Sequence, residues 1–313
     1  MFKNKLLAIL ASIMTLSVSA QDCEVHLMVA PMSQIAEVPD DINAQLLQRL
    51  TAAVSHSNTG IVADSNYDQF FISGRFAEEY ADVVPGPPMQ NVVNATLTLY
   101  IGDVHNEKIF AIKTFQLQGV GTSQIRAYIN ALRTLNGRNN ELQKFIDNGR
   151  VKIVNYFDNN YEQLLAQAEK ALLMKDYEQA LHISTSIPTC CVGYNEALKF
   201  TLNAYKAYID NTAKTLLMKA RSEWATSPDK EGARAALELL NQIDMDASCY
   251  GDAVALQNEI KNTVKENWNF EHREKYKDAI GLEKDRIAAA RAVGVAYGNN
   301  QKPTKPISTG LDN

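Results

Sequence analysis

Cationic excess is the first thing this chain lacks: 31 Lys and Arg stand against 36 Asp and Glu, a formal net charge of -5 over 313 residues. A dedicated nucleic-acid binder needs surplus cations to neutralise phosphates, so that class is excluded. Glycine (15) and proline (9) are sparse, which argues against an all-β chain of many tight turns. No apolar run reaches the roughly 20 residues of a bilayer-spanning helix. What is present, 46% hydrophobic and 21% charged residues, is ordinary globular composition.

Catalytic and metal signatures are equally thin. Cys23, Cys190, Cys191 and Cys249 show neither CxxC nor Cys/His spacing, so a structural zinc site has no support. His26, His56, His105, His182 and His272 are scattered, without HExxH, and no serine sits in a GxSxG elbow. Glu78 and Glu79 are adjacent, so on a strand they face opposite sides and cannot flank one substrate bond. Gly119-Val-Gly-Thr-Ser123 lacks a following P-loop lysine and reads as a turn capped by Thr122 or Ser123. The expectation is no catalytic residue, no metal and no cofactor.

The first 20 residues read as an address. Lys3 and Lys5 precede an apolar run from Leu6 to Val18, and Val18-Ser19-Ala20 supplies small residues for a leader protease. Gln21 and Asp22 separate Ala20 from Cys23, so there is no lipobox. The expectation is a signal peptide over 1–20, cleaved after Ala20, and a periplasmic or secreted protein that does not span the membrane.

Residues 21–157 read as a small α/β domain. Glu24–Ala30 is a short apolar strand stopped by Pro31, and Ile42, Leu46, Leu50 and Val54 give helical spacing behind Asp40-Asp41. Gly60–Ala63 and Gln69–Arg75 read as strands. Val92–Asp103 alternates apolar and polar and returns from a His105-Asn106-Glu107 turn as Lys108–Val120. Helical stretches follow over 122–135 and 139–147. The segments HLMVAPM, LLQRLTAAV, GIVAD and LTLYIGDVHNEKIFAIKTFQLQGVGTS carry a resemblance. The region resembles the small periplasmic α/β domain shared by the curli-secretion lipoprotein, the penicillin-binding-protein activator lipoproteins and the N-terminal domain of the Tol-system propeller protein. That resemblance implies a mixed sheet with flanking helices and action through protein contacts. The chain departs from it in a Pro-rich excursion at 76–90 and in lacking a lipid-bearing cysteine.

Residues 158–265 read as all helix. Lys175-Asp176-Tyr177 through Ala180-Leu181 resembles the turn and second helix of a tetratricopeptide repeat. An offset of 56 residues matches Ala180 with Ala236, Leu181 with Leu237, Ile183 with Leu239, Ile187 with Ile243, Tyr194 with Tyr250 and Ala197 with Ala253. Such a duplication implies short-helix, long-helix units that bury their apolar faces by stacking. Residues 194–226 contain no breaker. A C-terminal helix is expected over 266–297, continuing from 250 with interruptions at Gly281 and Gly294, and a flexible tail over 298–313.

The expected fold class is therefore an α+β domain followed by an all-α helical-repeat domain. If the repeats stack with their turns at one end, Cys190 or Cys191 reaches Cys249 and forms a disulfide. Trp268, Phe270 and Tyr276 lie close together in the C-terminal segment and read as a partner-binding patch. The function these features imply is an exported, non-enzymatic scaffold that binds proteins of the bacterial cell envelope. The alternative is an exported enzyme or ligand-binding protein with its site between the α/β and helical parts. Protein recovered from the periplasm is expected to begin at Gln21. N-terminal sequencing or intact mass reads this directly, and a diacylglycerol-sized increment on Cys23 would refute it.

Overall fold

A computed structural model describes residues 25–30, 40–56, 69–264 and 279–300. The leader, Cys23, the expected strand at 60–63, the aromatic patch at Trp268, Phe270 and Tyr276, and the tail from 301 lie outside the described residues. The sheet comprises β1 (Met28–Val29), β2 (Phe70–Val84), β3 (Gln90–Asp103) and β4 (Lys108–Gly121). The helices are α1 (Asp40–His56), α2 (Gln124–Leu132), α3 (Asn140–Leu173), α4 (Tyr177–Thr185), α5 (Tyr194–Thr226), α6 (Lys230–Leu240), α7 (Tyr250–Val264) and α8 (Ala279–Asn300). The class is mixed α+β.

The strands lie in the order β1-β2-β3-β4, with β1 parallel to β2 and the rest antiparallel. The β3–β4 hairpin forms as its alternation predicts. Val93, Ala95, Leu97, Leu99 and Ile101 are fully buried and face the helices. The excursion at 76–90 is instead the continuation of β2 to Val84, paired there with Gln90 of β3, and the turn between the two strands. Its residues Glu78–Val84 are exposed, so no apolar alternation marks them. Two glycines let α2 lie directly on the sheet: a Cβ at Gly119 or Gly121 would collide with the Ala127 and Arg126 backbone. Ser123 caps α2, accepting from the Arg126 N–H at 3.3 Å.

Helix α3 runs unbroken through the expected boundary at 157/158 and the expected stop at 147. Its first half packs Leu142, Phe145, Ile146 and Ile153 on the sheet, and Gly149 sits against Ile101 where a Cβ has no room. Its second half carries the helical arm. Lys175 takes a left-handed φ of 63° and ends α3, with Lys175 N–H on Leu172 O and Asp176 N–H on Ala171 O closing the last carbonyls. Asp176 then caps α4, accepting from Gln179 N–H at 3.1 Å.

Helix α5 spans the breaker-free stretch as expected. Each of the six residue pairs related by 56 positions shares one degree of burial. The pairs Ala180/Ala236, Leu181/Leu237, Ile187/Ile243 and Ala197/Ala253 are buried, and Ile183/Leu239 and Tyr194/Tyr250 are half-buried. The turns are pinned alike: Val192 N–H donates to Asp158 of α3 at 2.8 Å, and Ser248 N–H donates to Asp210 of α5 at 2.7 Å. The interruptions expected at Gly281 and Gly294 are absent, because α8 runs through both, and it continues past the expected start of the tail to Asn300. Truncating Leu181 or Leu237 to alanine is expected to cost about 2–5 kcal/mol each, read by denaturant unfolding. A loss below about 1 kcal/mol at either would show that the two sites are not equivalent core positions.

Candidate functional site

The β3–β4 turn is built around a buried carboxylate. Asp103 is fully buried; its Oδ1 accepts from the N–H groups of His105 (2.8 Å) and Asn106 (3.0 Å). Its Oδ2 accepts from Gln69 Nε2 (2.7 Å) and Asn106 Nδ2 (2.8 Å). Four donors satisfy the charge and leave the carboxylate structural, an Asx-type turn that aims His105 at the helical arm.

There it meets α4. The His105 and His182 rings stand edge to face, 4.9 Å between centroids, and Tyr297 of α8 lies 5.7 Å from His182. His182 Nδ1 lies 2.9 Å from Gly294 O. A carbonyl only accepts, so Nδ1 carries the proton and the neutral ring keeps its lone pair on Nε2. Ala290, Gly294 and Gly298 recur every four residues on α8, and all are buried. A side chain at Gly294 would strike the His182 backbone, and one at Gly298 would strike both imidazoles. Small residues thus bring α8 close enough to bond a side chain of α4 with its own backbone.

The recess beside this pair is lined by Gln69, His105, His182, Thr185, Ser186 and Arg291, and holds about 20 Å³. That is space for about one water, far below the several hundred Å³ of a typical organic-ligand site. Two imidazoles beside such a space, one of them held by a saturated carboxylate, make a joint between sheet, arm and C-terminal helix. The sequence shows no signal for it, because His105 and His182 are 77 positions apart and only the turn at 103–107 is marked locally.

The expected disulfide does not form. Cys191 and Cys249 are free and buried, whereas Cys190 is disulfide-bonded; the fourth cysteine, Cys23, lies outside the described residues. Cys191 adjoins the turn held by Asp158, and Cys249 the turn held by Asp210. Along α5 the second turn stands about 24 Å beyond the first at 1.5 Å per residue. The turns climb the arm instead of lining up, and no disulfide spans that distance. Burial, with Asp158 adding to it, pushes the Cys191 thiol up to about 12 and keeps it protonated. The chain matches no family model, no curated protein and no solved structure.

Burial lowers the pKa of His182, and the Gly294 carbonyl and the Asp103 charge offset this only in part. Between that lowered value and the ordinary value near 6.5, the unfolded chain binds a proton that the folded chain refuses. Stability from this joint is complete above about pH 6.5 and is lost as the pH falls through that window. The thermal midpoint is expected to drop from pH 7 to pH 5, and to drop less in His182→Asn. Equal drops in the two proteins would refute the assignment.

Proposed function

We propose that this chain is an exported, non-enzymatic scaffold of the bacterial cell envelope, whose α/β unit and helical arm each bind partner proteins. The observation that carries the reading is apolar surface on the arm. Leu173 (84% exposed) and Met174 (72%) close α3, Val192 (76%) precedes α5, and Met218 (65%) lies on α5. Large apolar side chains standing in water are characteristic of contact surfaces, and methionine suits adaptable ones. The paired burial at the 56-residue offset supports a tetratricopeptide-like arm, an architecture that works by presenting an extended surface. The four-stranded sheet with α1, α2 and α3 packed against it accords with the resemblance to periplasmic activator and secretion-associated domains. The water-sized recess at the joint favours contact over conversion of a substrate between the two parts. The reading calls for no cofactor.

Photo-crosslinkers placed at Leu173, Met174 and Met218 in the exported chain test it in the producing bacterium. Discrete envelope proteins are expected at these positions and not at exposed polar controls such as Lys219. Identical or absent adducts at both sets would overturn the proposal.

A further inference from the structure

The two outer edges of the sheet differ in kind. Among the described residues, β1 covers β2 only at Phe71 and Ile72. The remainder of the β2 edge carries Arg75, Glu78, Glu79 and Asp82, a register break between Glu78 and Tyr80, and the prolines at 85, 87 and 88. Charge, irregularity and proline are the means by which native sheets discourage edge pairing. From Thr114 to Gly121 β4 has no charge and no proline, and its break in register against β3 lies earlier, opposite Ile101/Gly102.

Backbone parity shows which groups that edge presents. Val104 N–H bonds Gln69 O, and Ala30 N–H bonds Ile72 O, so odd residues of β2 face β3 and even residues face outward. Carried through the registers of both ladders, odd residues of β4 bond β3 and even residues point away from the sheet. Asn130 Nδ2 of α2 agrees with that direction by donating to the outward Val120 carbonyl at 2.7 Å. Ile112, Thr114, Gln116, Gln118 and Val120 are all exposed, and their side chains lie on the face opposite α2 and α3.

We infer that the β4 edge pairs with the β4 edge of a second copy of this chain, antiparallel about a twofold axis at Gln116. The side chains choose both occupant and register. With the axis at Gln116, Thr114 faces Gln118 of the other copy. Ile112, 57% exposed, faces the other copy's Val120, 45% exposed. An axis at Thr114 or Gln118 would leave each of these apolar residues opposite a glutamine or outside the pairing. Two exposed apolar residues equidistant from one point, on an edge whose outward-facing residues 112–120 carry no charge while Lys113 turns to Glu141 of α3, are what a twofold, self-complementary interface requires. Thr114, Gln116 and Gln118 supply the outward backbone groups, and the two four-stranded sheets become one.

Sedimentation of the exported chain over a range of about 1–100 µM, the usual span for weak self-association, tests this. It is run alongside variants checked for an unchanged circular dichroism spectrum and thermal midpoint. Thr114→Lys with Gln118→Lys sets lysine against lysine across the axis and is expected to weaken the dimer roughly tenfold or more. Thr114→Lys with Gln118→Glu sets lysine against glutamate and is expected to restore it. Gln116→Pro removes one outward N–H without touching the β3 ladder and is expected to weaken it too. A wild-type chain still monomeric at about 100 µM overturns the inference. So does a Lys/Glu variant no tighter than Lys/Lys, which would mean that the edge receives some other strand.

Discussion

Helix α3 belongs to both halves of the molecule, and everything beyond the sheet hangs from it. Its first turns lie on β3 and β4, where Gly149 admits Ile101. Its last turns carry α4, and one continuous hydrophobic cluster runs from Val25 through Phe157 to Ala197. The two parts therefore share a core as well as a rigid rod, so bending between them would expose apolar surface along α3. The joint at His105, His182 and Gly294 adds a second tie between hairpin and arm, made through the C-terminal helix.

Where periodicity had a buried face to report, the sequence was legible. Ile42, Leu46 and Leu50 of α1 are fully buried, the β3 alternation points inward as written, and α5 spans the stretch that lacks a breaker. The expected helix stop at 147 did not hold, because α3 continues through Gly149, which in the fold is a contact point against Ile101. Gly294 misled in the same way: glycine in a helix interior costs local propensity, but here close approach to α4 offsets that cost. The β2 continuation was invisible because Glu78–Val84 bury neither face.

The site was legible only in part. Asp103 stands in a hairpin turn that the alternation on either side predicts, but its partnership with Gln69 depends on the β2–β3 register and the meeting of His105 with His182 on the path of α3. The disulfide went wrong for a related reason. A 56-residue offset pairs residues along the sequence but says nothing of how far apart in space the paired turns stand. The two turns are held by Asp158 of α3 and Asp210 of α5, 52 and not 56 positions apart, and three residues beyond them α3 has Tyr161 and α5 has Ala213. A Cβ at Gly193 would collide with the Tyr161 ring.

The contrast between the sheet edges bears on how such a chain avoids open-ended pairing. A long, uncharged edge strand is ordinarily an aggregation hazard, and the β2 edge shows that this chain has the usual protections available. The outward-facing residues of β4 dispense with them from Ile112 to Val120, the two exposed apolar side chains placed symmetrically about Gln116. Hydrophobic exposure placed without regard to symmetry would permit open-ended pairing. A twofold register closes on itself after one addition, because both copies use the same edge. The bulged, acidic, proline-tipped β2 edge then blocks further growth of the joined sheet, so protection on one edge and openness on the other are parts of a single arrangement.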